Sequence, residues 1–414
     1  MHLIRPFRGL RPAADKAAAV AAPPYDVLST AEARVAAADK PWSFLHISKP
    51  EIDLPPATDP FAPQVYAQAA TNLQRMIDQG VLERDGQPCY YAYRLTMGQH
   101  VQLGLVGAAS VADYDANRIR KHEFTRPDKE DDRVRQIEAL NAQTGPVLMA
   151  YPAAPQVDTL LQQAALAAPV ANIQSETGVG HAIWIIRDSA TVHAMTTAFD
   201  AMPALYIADG HHRSAAASRV AAERRRHNPR QTGNESYNYF LTVAFAHHQM
   251  QILPYNRVVT DLNGMNTDAF LQRLSSGFNV EVSAAPVRPD GPGQFGLYLA
   301  GRWYRLFIHA GLIPVNDPVA RLDVSLFADH VLAPILGIHD QRTDKRIDFV
   351  GGIRGVDALQ KRVDVDGMAA AFSLHATAME DLMAVADRGE VMPPKSTWFE
   401  PKLADGLVSH VLDE

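Results

Sequence analysis

Apolar and polar positions along the chain change their period several times, and each change predicts an element. STAEARVAAADK, with Ser29 or Thr30 as N-cap and Glu32 in the first turn, predicts a helix. SFLHIS is a short apolar run of strand length and predicts a strand. The amphipathic stretch QVYAQAATNLQRMIDQG predicts a second helix, closed by Gly80. CYYAYRLTM and VQLGLVGAASV read as two antiparallel strands joined near Gly98. A helix is expected over about 128–142, followed by strands in VLMAYPA and AIWIIRD.

Leu205-Tyr206-Ile207-Ala208 predicts a short strand that ends at Asp209-Gly210, after which an alanine-rich pattern continues as a helix to about 226. YFLTVAFAH and QILPYNRVV follow as strands. Beyond about 262, the segments TDAFLQRLSSGF, QFGLYLAGRWYRLFI, SLFADHVLAPILGI and SLHATAMEDLMAVADRGE mix helix and strand signals. RPFRGLRP and AAPPYDVLS, stiffened by proline, are expected as extended loops. Helices interleaved with antiparallel strand pairs place the chain in the α+β class.

Composition narrows the function classes. At 414 residues two or three domains are expected. A hydrophobic content of 47% and a charged content of 21% are those of a globular protein. The formal charge of −7 argues against bulk electrostatic binding to nucleic acid, so no nucleic-acid partner is expected. The opening MHLIRPFRGLRPAADK has no apolar targeting region, and no run approaches a membrane span, so a cytoplasmic location and no membrane partner are expected. Cys89 is the single cysteine, which excludes an intrachain disulfide framework; it lies in a predicted strand and reads as a buried, inert thiol.

The candidate chemistry gathers where the strand at 205–208 turns into its helix, in the sequence ADGHHRSAAA. A helix N-terminus presents unpaired N–H groups and a positive dipole end, and so attracts anions. Arg213 adds a planar bidentate phosphate donor, and His211 and His212 offer donors that can carry a proton near neutral pH. Gly210 permits a sharp turn and close backbone approach. Asp209 repels an anion, so its presence makes sense if it holds a metal, accepts a hydroxyl proton or orients a histidine. The bland reading stays beside this one: Asp209 as a plain N-cap, half-exposed histidines and Arg213 paired to a surface acid.

Three further segments carry candidate residues. RKHEFTRPDKEDDR offers His122 and, at an expected strand end, Glu123 as a general base, although a solvated charge run explains it equally. AAPPYDVLS offers Tyr25 and Asp26 as pocket-lining residues, or else a rigid turn. MPPKSTWFEPKL offers Lys395 as a phosphate contact, without the glycine loop of a Walker A motif, or else a packing strap.

Together these four motifs resemble a widespread bacterial family catalogued as a domain of unknown function (ten-fifteen), over nearly the whole chain. The Asp-Gly-His-His-Arg stretch is also similar to the phosphate-binding motif of the ParB and sulfiredoxin superfamily, in which free serine kinases carry a closely matching sequence. The resemblance implies a ParB/sulfiredoxin-like nucleotide-binding core at 86–262 with a mixed or antiparallel sheet. An N-terminal region at 1–85 would pack on that core, and 263–414 would form a C-terminal α/β domain with a closing strap. Carried over residue by residue, it gives Gly210, His211, His212, Arg213 and Ser214 to the nucleotide phosphates. Asp209 would sit near a magnesium ion, and Glu123 would activate the acceptor hydroxyl. The implied activity is a small-molecule kinase that uses Mg2+ and ATP or ADP to phosphorylate free L-serine, in a chain for which a homodimer is left open. The alternative is a ParB-like nucleotide-binding regulator with no small-molecule acceptor.

Overall fold

The computed structural model describes residues 2–412. The chain parts into two units: residues up to 250 together with those from 401 onward, and residues 251–400.

The first unit is built on a nine-stranded mixed sheet. Its centre is the hairpin Tyr90–Met97 and His100–Ser110, paired from Met97↔His100 upward. Tyr239–Ala246 joins the second of these strands in antiparallel fashion and Val147–Tyr151 in parallel fashion. Leu205–Asp209 adds to Val147–Tyr151 antiparallel, and the short strand Ile119–Arg120 closes this edge in parallel. Central strands here are apolar on both faces, because helices cover the sheet. Tyr90, Leu105, Met149, Tyr151, Phe199, Ile207 and Phe240 lie in one buried cluster. These elements are α+β with both strand directions in one sheet, as the sequence pattern predicts for the class.

Two helices frame the edge that matters for function. Pro127–Leu140 starts on a proline at its first turn and ends at Asn141, which takes a left-handed conformation at φ 47°. His211–His227 follows directly from the strand Leu205–Asp209. Its alanines have a packing reason: Ala217 and Ala221 belong to the sheet-side core, while Ala216 and Val220 meet Ile137 and Leu412. Small side chains on two faces let this helix lie between two neighbours.

Several expectations are corrected. SFLHIS does not form a strand; Leu45–Ser48 is a short helix with Leu45 and Ile47 buried. A short apolar run fits either element, and here the core packing decides. RPFRGLRP is not a loop throughout, since Ile4–Arg5 pairs with His100–Ser110 and Gly9–Pro12 pairs with both Leu82–Arg84 and Ser409–Val411. These pairings tie the N-terminal segment into two sheets of the first unit. The expected boundary at 262 also differs from the observed one, because Tyr255–Val259 pairs with Ile347–Gly351 and Ala370–Leu374.

The second unit carries a six-stranded sheet whose pairings are all antiparallel. Its core gathers Val258, Tyr298, Trp303, Leu359 and Ala371. Among the described residues no helix is long and apolar enough to cross a membrane.

Candidate functional site

The site arises from one topological fact. Ile119–Arg120 runs parallel to Leu205–Asp209, with Ile119 opposite Leu205 and Arg120 opposite Tyr206. Parallel strands end on the same side, so the loop after Arg120 and the turn after Asp209 emerge side by side. His122 and His211, 89 residues apart in sequence, are thereby brought together: the His122 amide donates to His211 Nε2 at 3.4 Å. Their rings meet edge to face with centroids 4.5 Å apart. Glu123 Oε2 lies 3.6 Å from His211 Nδ1.

Two backbone features shape the turn. The pairing with Val147–Tyr151 slips between Ile207 and Asp209, a bulge that re-aims the aspartate at the strand end. Gly210 sits at φ 99°, a region that L side chains rarely adopt, and a Cβ there would meet Arg213 Nε at 3.1 Å and Val147 Cα at 3.3 Å. No side chain caps the helix from Gly210. The first-turn amides are therefore not screened by a capping oxygen and keep their pull on an anion.

Arg213 is the electrostatic centre. Its Nη2 donates to Asp209 Oδ2 at 3.0 Å, its Nη1 donates to the Pro146 carbonyl, and Asp26 Oδ2 stands 3.9 Å from Nη2. Its side chain is only 10% exposed, whereas that of Asp209 is 40% exposed. Burial works to raise the Asp209 carboxyl, but Arg213 and Lys402 outweigh it and hold the group below the usual carboxylate range. Burial works the other way on the guanidinium, yet Asp209, Asp26, Tyr25 and Asp405 keep it firmly charged. Asp405, buried behind the corner, is pushed up to about 7 by burial despite the nearby Arg213.

Burial favours the neutral form of the histidines at the corner. Burial pushes His122 down to about 4 and His211 well below its ordinary value, the latter aided by the neighbouring His122, His212 and Arg213. Burial also lowers His212 against the pull of Glu130. At neutral pH the positive potential therefore comes from Arg213 and the helix end. His212 is the more accessible of the pair, and its Nε2 accepts from the Arg126 amide at 3.1 Å.

The chain is matched over residues 4–325 by the family model described as "Protein of unknown function (DUF1015)". The chain belongs to this family. No curated protein matches it. Among solved structures, a free serine kinase variant in complex with AMP is 12% identical at a TM-score of 0.36, covering 72% of this chain and 91% of that one. A truncated SbnI from Staphylococcus aureus is 11% identical at a TM-score of 0.37, covering 72% and 85%. A conserved hypothetical protein from Pyrococcus furiosus is 14% identical at a TM-score of 0.34, covering 75% and 97%.

Within this family member, the remaining sequence candidates fall in different places. Tyr25 and Asp26 stand beside Arg213: Tyr25 lines a cavity of about 30 Å³ with Arg133, Gly145, Arg213 and Asp405. That volume admits water but no nucleotide, and Glu123 and Asp209 lie outside its lining with side chains 58% and 40% exposed. Ser214 is turned away; its hydroxyl donates back to the His211 carbonyl at 3.0 Å and the residue is fully buried. His122 is likewise buried and faces His211 rather than an open surface. Lys395 belongs to the second unit, where its carbonyl accepts from Arg257 Nη2 at 3.0 Å and its Nζ lies over the Tyr255 ring. Cys89 is fully buried, and burial pushes its thiol up, as an inert cysteine requires.

Three site residues carry no sequence signal of their own. Asp405 and Lys402 come from the C-terminal return of the chain, and Arg133 sits inside a charge run. Arg133 donates to Asp132 and stacks over the Tyr25 ring at 4.0 Å, which fixes the wall of the cavity. Two carboxylates at the corner, Asp209 and Asp26, stand 3.0 and 3.9 Å from Arg213 Nη2. Asp209 and Asp26 supply hard carboxylate oxygens next to the phosphate-attracting corner, and magnesium favours such oxygens together with substrate phosphates.

Proposed function

We propose that this chain is a nucleotide-dependent small-molecule kinase, with free L-serine as the favoured acceptor. One observation carries the reading: the parallel pairing at the sheet edge sets the Glu123 carboxylate against His211, in the first turn of a helix whose uncapped end is reinforced by Arg213. Phosphoryl transfer asks chiefly for positioning and for compensation of charge on the transferred group. Arg213 and the amides of the first turn supply that compensation, and His212 lines the same opening. Glu123, exposed on that side, accepts the proton of the attacking hydroxyl. Asp209 and Asp26 would hold magnesium, which supplies further neutralisation of the phosphate oxygens when bound. His211 orients Glu123 through its ring and acts as a positioning residue rather than as a phosphate donor. In this reading the first unit is the ParB/sulfiredoxin-like phosphate-binding core that the motif resemblance implies, working in the cytoplasm on ATP or ADP.

The test is direct. The purified chain is mixed with L-serine, ATP or ADP, and Mg2+, and the product is analysed for O-phosphoserine. Phosphoserine is the expected product. Tight nucleotide binding with no phosphorylated serine or other small hydroxyl compound would overturn the kinase reading in favour of the nucleotide-binding regulator.

A further inference from the structure

His122, Glu123 and His211 each offer a ligand atom, and the three atoms lie within 4.8 Å of one another. Two of the three, His211 Nδ1 and Glu123 Oε2, already stand 3.6 Å apart. Donors bound to a tetrahedral zinc ion at about 2.0–2.1 Å are roughly 3.3–3.5 Å from each other, so the His211–Glu123 pair already has nearly that spacing and the rest of the set must contract by up to about 1.5 Å to hold an ion.

A second observation is independent of this clustering. His122 Nδ1 is buried and has no hydrogen-bond partner among the described residues, in a side chain that is 3% exposed. A buried polar atom left without a partner is costly and calls for an explanation. The ring also lies against the Ile207 backbone.

From this geometry we infer that His122, Glu123 and His211 form a binding site for a divalent transition-metal ion of the zinc class, separate from any magnesium held by Asp209. Two imidazoles and one carboxylate suit zinc, cobalt or nickel and discriminate against magnesium, which prefers oxygen. Three protein donors leave the remaining position to water or to a ligand oxygen on the exposed side of Glu123. The His211 proton rests on Nδ1 while Nε2 accepts from the His122 amide. A metal at Nδ1 therefore requires that proton to move to Nε2, which turns from acceptor to donor and breaks the 3.4 Å contact with the His122 amide. The inference does not rest on the kinase reading. A cation at this site and a proton-accepting Glu123 exclude each other, so zinc would inhibit serine phosphorylation rather than support it.

Tag-free full-length protein, stripped with chelator, is titrated with Co2+ and followed by the visible d–d absorption of the bound ion. One equivalent is expected to bind with the intense absorption of a low-coordinate site, and equimolar Mg2+ is expected to leave the spectrum unchanged. Glu123→Gln, a change on an exposed side chain that the fold tolerates, is expected to weaken binding at least roughly tenfold, and His122→Gln at least as much. Nitrogen-15 shifts of the His211 ring are expected to change on loading in the wild-type chain. Absence of a Co2+ band in molar excess, displacement by Mg2+, or unchanged affinity in Glu123→Gln would each overturn the site, whatever the outcome with serine and nucleotide.

Discussion

Arg213 Nη2 donates to Asp209 Oδ2 at 3.0 Å across one helical turn, and the same nitrogen faces Asp26 at 3.9 Å. The guanidinium thus holds two acids whose charge would otherwise repel a phosphate. Arg213→Ala removes that compensation and leaves Asp209 facing the ligand alone. A loss of nucleotide affinity of at least about tenfold is expected, since one charge-assisted contact is worth roughly 1.5–3 kcal/mol. Arg213→Lys keeps the charge but not the fork and should recover only part of it. Isothermal titration with ATP and ADP measures both; unchanged affinity in the alanine variant would remove this corner from nucleotide binding.

Gly210 is the conformational hinge of the corner. At φ 99°, with an added Cβ only 3.1 Å from Arg213 Nε, an alanine must strain the backbone and shift the arginine. Gly210→Ala should cost about 1–3 kcal/mol of stability and reduce nucleotide affinity together with it. Urea unfolding reads the first effect and titration the second. A variant as stable as the wild type would mean that the turn relaxes without resistance.

How much of this is legible in the sequence follows from which interactions are local. The strand at 205–209, the corner helix and the glycine between them are written in a short stretch, where hydrophobic period and turn chemistry suffice. The capping box at Ser29 and Glu32 is equally local and is present as expected. Pairings between distant segments carry no such mark. The parallel ladder that brings Glu123 to His211 and the return of Ser409–Val411 onto Gly9–Pro12 depend on tertiary packing. The charge of the histidines is illegible for the same reason: burial by distant chain, invisible in sequence, drives both His122 and His211 to the neutral form. Ser214 resembles a phosphate ligand by its neighbours, yet the helix turns it inward.

Ala216 is fully buried and shares a cluster with Ile137, Val220 and Leu412. A larger side chain there must push the corner helix away from Pro127–Leu140. Ala216→Leu should destabilise the chain by about 1–3 kcal/mol, whereas a substitution at the exposed Val35 should change little. Thermal unfolding of the two variants side by side checks the contrast, and equal effects would contradict close packing at this face.

Asp405 gives a pH dependence with a definite sign. Its folded-state carboxyl is pushed from 3.8 up to about 7 by burial, so the folded chain holds a proton that the unfolded chain has already lost. Stability from this group is fully present below pH 4 and falls as pH rises towards 7. The shift sets an upper bound of roughly 4 kcal/mol on the loss. Asp405→Asn removes the titration, so its stability relative to the wild type should increase between pH 5 and pH 8. Urea unfolding at the two pH values measures it; a constant difference would show that Asp405 titrates alike in both states.

Glu123 separates binding from chemistry. Its carboxylate is 58% exposed, stands 3.6 Å from His211 Nδ1 and carries a negative charge that does not attract phosphate, so it is expected to contribute little to holding a nucleotide. Its part in the kinase reading is to receive a proton, and a proton-transfer group in that role contributes about 10²–10⁴-fold to rate. Glu123→Gln keeps shape and hydrogen bonding but cannot accept the proton. Nucleotide affinity should stay close to that of the wild type while phosphoserine formation falls by that factor. Rescue by Glu123→Asp should be partial, because the shorter chain retains the base and loses its reach. A glutamine variant with full turnover would assign the proton to another group, and one that no longer bound nucleotide would place Glu123 in the binding site instead.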